Sequence, residues 1–88
     1  MLNPVYEKRF KKDIDLARKR GKEMQKLTDV IVMLIEEKPL PAKYKNHKLK
    51  GNYVNHWECH VQPDWLLVYR IIKKDIYFAR TGTHSDLF

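Results

Sequence analysis

Between Glu7 and Glu37 apolar residues return every three or four positions, and from Trp57 to Val61 they alternate with polar ones before short apolar runs cut by turn residues. That change of period, from about 3.6 to 2, divides the chain into a helical first half and a stranded second half. Phe10, Ile14 and Ala17, with Lys and Arg on the opposite side, predict an amphipathic helix from Glu7 to Lys19 that stops near Gly21. Met24, Leu27, Val30, Ile31, Leu34 and Ile35 predict a second helix from Lys22 to Glu37, ended by Pro39. The short turn around Gly21 makes the two an antiparallel hairpin. Strands are expected over Tyr53–Val61, Trp65–Ile72 and Ile76–Thr81, joined by turns at Gln62-Pro63-Asp64 and Lys73-Lys74-Asp75. Connections this short demand antiparallel neighbours. Leu2–Tyr6 reads as a short edge strand, the place in a sheet that Pro4 fits. Pro39–Asn52 has no period and reads as a basic connecting loop.

Neither the helices nor the sheet can bury an apolar side alone, so the helix pair must cover one sheet face. The expected fold is α+β, with a short N-terminal strand and an antiparallel helix pair packed on a twisted antiparallel sheet of three to four strands. The other sheet face stays partly open. Eighty-eight residues allow one domain, residues 1–88, and a chain of that size buries roughly 60–65% of its unfolded surface. A content of 43% hydrophobic and 11% aromatic residues suffices for such a core, and three Gly and four Pro argue against disorder. No internal repeat or low-complexity linker interrupts it.

Charge is the first pointer to function. Eighteen Lys and Arg against eleven Asp and Glu leave a net charge of +7, which favours a polyanionic partner: nucleic acid, an anionic membrane or an acidic protein. For any one Lys-rich stretch, a solvated surface is explanation enough. A single cysteine, Cys59, excludes an intramolecular disulfide, and its apolar flanks suit a buried thiol better than a nucleophile. The stretch MLNPVYEKRF carries charges where a signal peptide needs an apolar run, and no apolar stretch approaches membrane-spanning length. The expectation is a soluble cytoplasmic protein.

The second half concentrates the reactive side chains. All four histidines fall between positions 47 and 84, together with Asp64, Trp65, Arg70 and Arg80. On a strand His60 points away from the side of Trp57, Cys59 and Val61; if those meet the helices, His60 lies on the open face. Arg80 alternates with Ala79, Asp64 sits at the turn beyond His60, and Gly82 allows the tail carrying His84 to bend back. These groups can converge at one edge of the open face. Cleaving RNA requires activation of the ribose 2′-OH, charge neutralisation on the phosphorane and protonation of the 5′-oxygen. Histidine suits both proton transfers, a guanidinium suits the phosphorane, and a carboxylate beside a histidine sets its tautomer or serves as base. Trp65, Tyr69 and Phe88 are candidates for stacking on unpaired bases.

Each residue also has a plainer reading. His56 reads as a solvated side chain, Arg70 as the partner of a cross-strand acid, and Trp65 and Tyr69 as sheet residues in or near the core. Asp64 after Pro63 is an ordinary turn residue. A zinc site of His47, His60, Asp64 and His84 ranks below the nuclease, because the ligands lack the close regular pairing of zinc sites. No metal or other cofactor is expected.

Three ordered segments are familiar: Lys45-Asn46-His47-Lys48-Leu49-Lys50-Gly51, then Cys59-His60-Val61-Gln62-Pro63-Asp64-Trp65-Leu66-Leu67-Val68-Tyr69, then Arg80-Thr81-Gly82-Thr83-His84-Ser85-Asp86-Leu87-Phe88. They resemble the YafQ branch of the RelE-type toxins, and the match extends to Phe10-Lys11-Lys12-Asp13 and to the Leu-Pro pair after the second helix. The resemblance implies a type II toxin, inhibited by an acidic antitoxin, that cuts messenger RNA in the ribosomal A site. Carried onto this chain, it assigns catalysis to His47, His60, Asp64, Arg80 and His84, and substrate contacts to Trp65, Phe88, Lys48 and Lys50. His84 is the leading candidate for general acid and Arg80 for the scissile phosphate. His60 and Asp64 are candidates for base or orienting group, and His47 for phosphate contact or proton transfer. Trp57-Glu58-Cys59 departs from the smaller, more polar pair expected before the central histidine, and Glu58 shares strand parity with His60. The alternatives are a gyrase-inhibiting toxin of the same fold and a non-catalytic RNA- or ribosome-binding module; neither needs such a cluster.

Overall fold

The computed structural model describes residues 1–88. In chain order it contains β1 (Asn3–Tyr6), α1 (Lys8–Lys19), α2 (Met24–Ile35), a 3-10 turn (Ala42–Tyr44), β2 (His47–Lys48), a second 3-10 turn (Gly51–Tyr53), β3 (Trp57–Gln62), β4 (Trp65–Ile72), β5 (Asp75–Gly82) and α3 (His84–Leu87). Both long helices lie where the apolar period puts them and end in the same way. After α1, Gly21 takes φ 74° while the N–H groups of Gly21 and Lys22 return to the carbonyls of Arg18 and Ala17. After α2, Glu37 takes φ 59° while Glu37 and Lys38 return to Leu34 and Met33. Each is a left-handed closure that satisfies carbonyls otherwise orphaned at a helix end. The first uses glycine, which the sequence announces. The second forces a non-glycine residue into that region, so α2 stops at Ile35, two residues before the expected Glu37.

The sheet has five strands in the order β1-β5-β4-β3-β2. Its antiparallel centre, β3-β4-β5, follows from the tight turns, but β1 pairs with β5 in parallel, Asn3 opposite Asp75 and Tyr6 opposite Phe78. The expected antiparallel sheet of three to four strands is therefore a mixed one of five. Two helices separate β1 from the other strands, which gives the chain room to return in the same direction. Pro4 does lie on an edge strand. β2, within the segment read as a loop, pairs His47 with Glu58 and Lys48 with Trp57; two residues are too few to show a period.

The two faces of the sheet bury different clusters. Leu27, Val30, Ile31 and Leu34 of α2 and Phe10 and Ala17 of α1 pack with Cys59, Val61, Trp65, Leu67, Tyr69, Ile76 and Phe78. On the opposite face Leu66, Val68, Ala79 and Leu87 form a smaller cluster, with Leu49 and Tyr53 against it. Alternation carries β4 cleanly from one face to the other, and Cys59 and Val61 meet the helices as expected. β5 departs from it. Tyr69 faces Phe78 and Val68 faces Arg80, leaving Ala79 as an extra residue. This bulge puts Ala79 and Arg80 on the same side of the sheet, whereas unbroken alternation from Ile76 and Phe78 would turn Arg80 toward the helices. Arg80 reaches the open side, but not by the alternation with Ala79 that the sequence suggests.

Candidate functional site

Three histidines form a row on the open face. β2 carries His47, β3 carries His60 and α3 begins with His84. Ring centroids of His47 and His60 are 6.2 Å apart, and those of His60 and His84 are 5.9 Å apart. Glu58 precedes His60 by two residues and so projects to the same face. Glu58 is only 4% exposed, and its Oε1 lies 3.4 Å from Nε2 of both His47 and His60. Burying a carboxylate costs free energy unless charge or hydrogen bonds compensate it; an imidazole facing that oxygen does so only with a proton on Nε2. The sequence raised Glu58 only as a neighbour of His60, and the register of β2 adds His47.

The outer end of the row is set by Asp64. Its Oδ1 lies 2.9 Å from Nδ1 of His84 and accepts the His84 backbone N–H at 3.1 Å. A carboxylate accepts only, so Nδ1 carries the proton and Nε2 is left free for chemistry. These contacts from His84 hold the Asp64 carboxyl below its ordinary pKa, with the charge of Lys22 contributing. At the other end, Nδ1 of His47 lies 2.7 Å from the carbonyl of Lys45, which fixes its tautomer in the same way. Lys45 adopts φ 48° after the first 3-10 turn, so a strained backbone position aims the ring.

α3 is short and is held from outside. Thr83 caps it and Asp86 closes the capping box by accepting from Thr83 N–H at 2.9 Å. Asp86 also binds the Arg20 guanidinium at 2.6 and 3.1 Å, tying α3 to the end of α1. Arg20 first, then Thr83, holds its carboxyl well below the usual carboxylate range. This helix places His84 at its start and Leu87 in the small core cluster. Phe88 follows, 62% exposed, with its ring edge-on to Tyr53 at 5.5 Å.

Arg80 lies where β5 runs beyond the end of β1. Its Nε and Nη2 donate to Asp13 of α1 at 2.7 and 3.2 Å, and Asp13 Oδ2 also accepts the Thr81 N–H at 3.1 Å. The Asp13 hydrogen bonds raise the guanidinium's pKa above its ordinary value, with Tyr53 adding to the effect. Sequence reasoning placed Arg80 on a phosphate and overlooked both Asp13 and Tyr53. The signal for Asp13 was its place in the Phe10-Lys11-Lys12-Asp13 segment.

Two expectations change. Trp65 is 1% exposed on the helix side of the sheet, where its Nε1 donates to Thr81 Oγ1 at 2.9 Å. It cannot stack on a base and acts on the site only from beneath, through the residue after Arg80. Tyr69, 3% exposed, is likewise buried, with its hydroxyl donating to Asn46 at 2.7 Å. Lys48 is exposed beside His47, and Lys50 is exposed two residues further on. Arg70 lies over the Tyr77 ring at 4.8 Å rather than against an acid, and His56 sits apart against Val54 and Tyr53. Cys59 is fully buried, and burial, then Glu58, pushes its thiol up to about 12.

The cluster can also gather a metal ion. Glu58, His60 and His84 offer ligand atoms within 4.8 Å of one another, two imidazoles and a carboxylate of the kind that suits zinc or copper. This set uses Glu58 where the sequence reading had His47 and Asp64.

Residues 2–88 match the protein family described as bacterial toxin of type II toxin–antitoxin system, YafQ. The chain is 45% identical over 84 residues to the mRNA interferase toxin YafQ of Escherichia coli K12, covering 94% of this chain and 91% of that one. The crystal structure of the E. coli DinJ–YafQ toxin–antitoxin complex superposes with a TM-score of 0.92 at 43% identity, covering 99% of this chain and 97% of the other. A metal-bound toxin from Helicobacter pylori superposes with a TM-score of 0.93 at 42% identity, each chain covered in full.

Proposed function

This chain belongs to the YafQ toxins of type II toxin–antitoxin systems, and we propose that it is an endoribonuclease that cuts messenger RNA in the ribosomal A site and so stops translation. The observation that carries the chemistry is the His84 imidazole beside His60, its Nδ1 fixed by Asp64 at 2.9 Å. In this reading the 2′-OH gives its proton to a ring nitrogen of His60 and its oxygen attacks the adjacent phosphorus. The bond to the 5′-oxygen breaks, and His84, which in this role carries a proton on each ring nitrogen, delivers the Nε2 proton to that leaving oxygen while Nδ1–H stays on Asp64. The products are a 2′,3′-cyclic phosphate and a 5′-hydroxyl. Arg80, oriented by Asp13, stabilises the phosphorane with the donors Asp13 leaves free. His47 contacts phosphate or relays a proton, Phe88 stacks on a base, and Lys48 and Lys50 contact the backbone.

Positioned acid–base groups contribute about 10²–10⁴-fold to a rate. Single-turnover cleavage of messenger on programmed ribosomes should fall by that order in His84→Ala and by a smaller factor in Asp64→Asn; near-parental rates in both would remove the roles. Primer extension with and without ribosomes tests the substrate. Ribosome-independent cutting would move the chemistry off the A site, and no cutting at all would leave a binding module. An acidic antitoxin would cover the basic surface, as the toxin–antitoxin pairing of the E. coli relative suggests, and both proteins would act in the cytoplasm, where ribosomes are. No helix is long and apolar enough to cross a membrane. A metal held by Glu58, His60 and His84, as the H. pylori toxin's bound metal suggests, would occupy nitrogens that proton transfer needs. Chelator-treated protein is therefore the form to assay.

A further inference from the structure

His60 belongs to two places at once. Its ring sits in the histidine row, and it also lines a cavity of about 590 Å³ between β3, α2 and the first 3-10 turn. The cavity is walled by Lys26 and Asp29 of α2, by Lys43, Tyr44 and Lys45, and by the consecutive residues His60, Val61, Gln62 and Pro63. A regular strand does not turn four successive residues to one space. Here the register slips between His60 and Gln62 just before the turn, which lets it happen. The first 3-10 turn completes the opposite wall, and its Tyr44 packs against the main core, so the wall has a fixed base.

The lining is polar and positive. Three lysines and one acid line it, and the carboxylate of that acid, Asp29, already accepts from Gln25 Nε2 at 2.8 Å. Lys43 Nζ is 5.1 Å from the Tyr44 ring centroid, which holds its charge over an aromatic face. Gln62 brings an amide that both donates and accepts. Lys45 lines the cavity and lends its carbonyl to His47, so cavity wall and histidine row are mechanically one piece.

We propose that this cavity is a nucleotide subsite for the RNA residue flanking the scissile phosphate. Lys26, Lys43 and Lys45 hold the neighbouring phosphate, the base enters beside Tyr44, and the Gln62 amide meets the base edge. The volume lies within the roughly 300–1,000 Å³ of small-ligand sites. An acidic antitoxin segment is the weaker occupant. Such segments bring apolar anchors, and only Val61, Pro63 and the Tyr44 ring would receive them. The proposal rests on the nuclease reading, and it adds a determinant of which nucleotide is accepted next to the cut.

The test uses a 5′-fluorescein single-stranded RNA of about ten nucleotides, bound to full-length toxin carrying His84→Ala so that it stays intact. Anisotropy is measured between low and moderate salt. Adding Lys26→Gln and Lys43→Gln should weaken binding about tenfold. It should also reduce the slope of log affinity against log salt by up to about 0.7, the value for the one phosphate no longer neutralised. Lys8→Gln with Lys74→Gln, exposed residues away from the cavity, should change neither. An unaltered salt slope in the cavity variant, with unaltered melting temperature, overturns the subsite. So does a loss of affinity seen only for the purified antitoxin. In the cleavage-competent protein, Gln62→Ala should change the ratio of cutting between messages that differ only at the flanking nucleotide. A uniform loss would overturn the base-edge contact. The two readings fail separately: a parental toxin that binds through these lysines yet never cleaves sinks the nuclease. A parental toxin that cleaves while the lysine variant binds normally sinks the subsite.

Discussion

Asp13→Asn isolates the contact on which Arg80 depends. In the native protein Asp13 Oδ2 accepts from Arg80 Nε and from the Thr81 N–H, and Oδ1 accepts from Arg80 Nη2. An asparagine there keeps one acceptor oxygen and presents an NH2 in place of the other. In either orientation at least one donor of the trio meets a donor, and the guanidinium loses its counter-charge. Hydrogen bonds to charged groups contribute about 1.5–3 kcal/mol, and removing one partner of a buried pair costs about 3–5 kcal/mol. Both side chains are 12% exposed, close to buried, and one acceptor survives. The expected loss is therefore about 2–3 kcal/mol. For a chain of this size that lowers the melting temperature by roughly 8–24 °C. Urea unfolding gives the free energy directly, and a cycle with Arg80→Gln separates the pair from its surroundings. If Asp13→Asn unfolds within about 0.5 kcal/mol of the parent, or if the double variant shows coupling below that value, Asp13 does not hold Arg80. At a temperature where the variant stays folded, cleavage should still slow, because Arg80 is then free to leave the phosphate.

Asp86 gives an acid-sensitive prediction. Its folded pKa is depressed by Arg20 and Thr83, so near its ordinary value of about 3.9 the unfolded chain takes up a proton that the native one refuses. That stability is complete above the ordinary value and lost as pH falls through the depressed one. The difference in urea midpoint between pH 7 and pH 3 should therefore narrow in Asp86→Asn, and an unchanged difference would remove the Arg20 pair from the acid response. Cys59, buried with its thiol pushed up to about 12, should react with a thiol reagent at neutral pH only as fast as the protein unfolds. Rapid labelling of native protein would contradict its burial. Trp65→Phe keeps an aromatic ring in the core but leaves the Thr81 hydroxyl with one partner, Leu66 O at 2.7 Å. A loss of about 1 kcal/mol by urea unfolding is expected, and a neutral effect would show that this hydrogen bond does not support the site.

The readable parts of the chain are those with a long period or an unambiguous turn. α1 and α2 each repeat an apolar stripe over several turns, and β4 is a continuous apolar run bounded by the turns at Pro63-Asp64 and Lys73-Lys74, so their places follow from the pattern alone. His60 reaches the open face for the reason its alternation with Cys59 and Val61 implies. The rest depends on contacts distant in sequence. Nothing local in His47-Lys48 shows that two residues will pair with β3 and bring Glu58 between two histidines. Asp13 and Arg80 are 67 positions apart, and Arg20 and Asp86 are 66 apart. The residues themselves favour the core for Trp65, and only the resemblance assigns it to the substrate; the face of β4 on which it falls decides for the core. The tail that read as a flexible bend is a capped helix, and Thr83-x-x-Asp86 is the local sign of it.

The bulge at Ala79 bears on how this site can change over many generations. β5 spends three residues, Phe78 to Arg80, where β4 spends two, Tyr69 and Val68. The strand therefore carries one spare residue. Taking Ala79 out would leave Phe78 facing the helices and Arg80 opposite Val68, a regular ladder with every flanking side chain still on its own face. Adding a second residue at the same place also keeps the parity, with Phe78 inward, Ala79 outward, the new residue inward and Arg80 outward, but it loops two residues out of the ladder instead of one. A change of one residue in either direction thus leaves Arg80 on the open face, so the facing of the arginine is insensitive to length in this stretch while the ladder's continuity is not. What the bulge contributes is local twist at the arginine and a small side chain under Leu87.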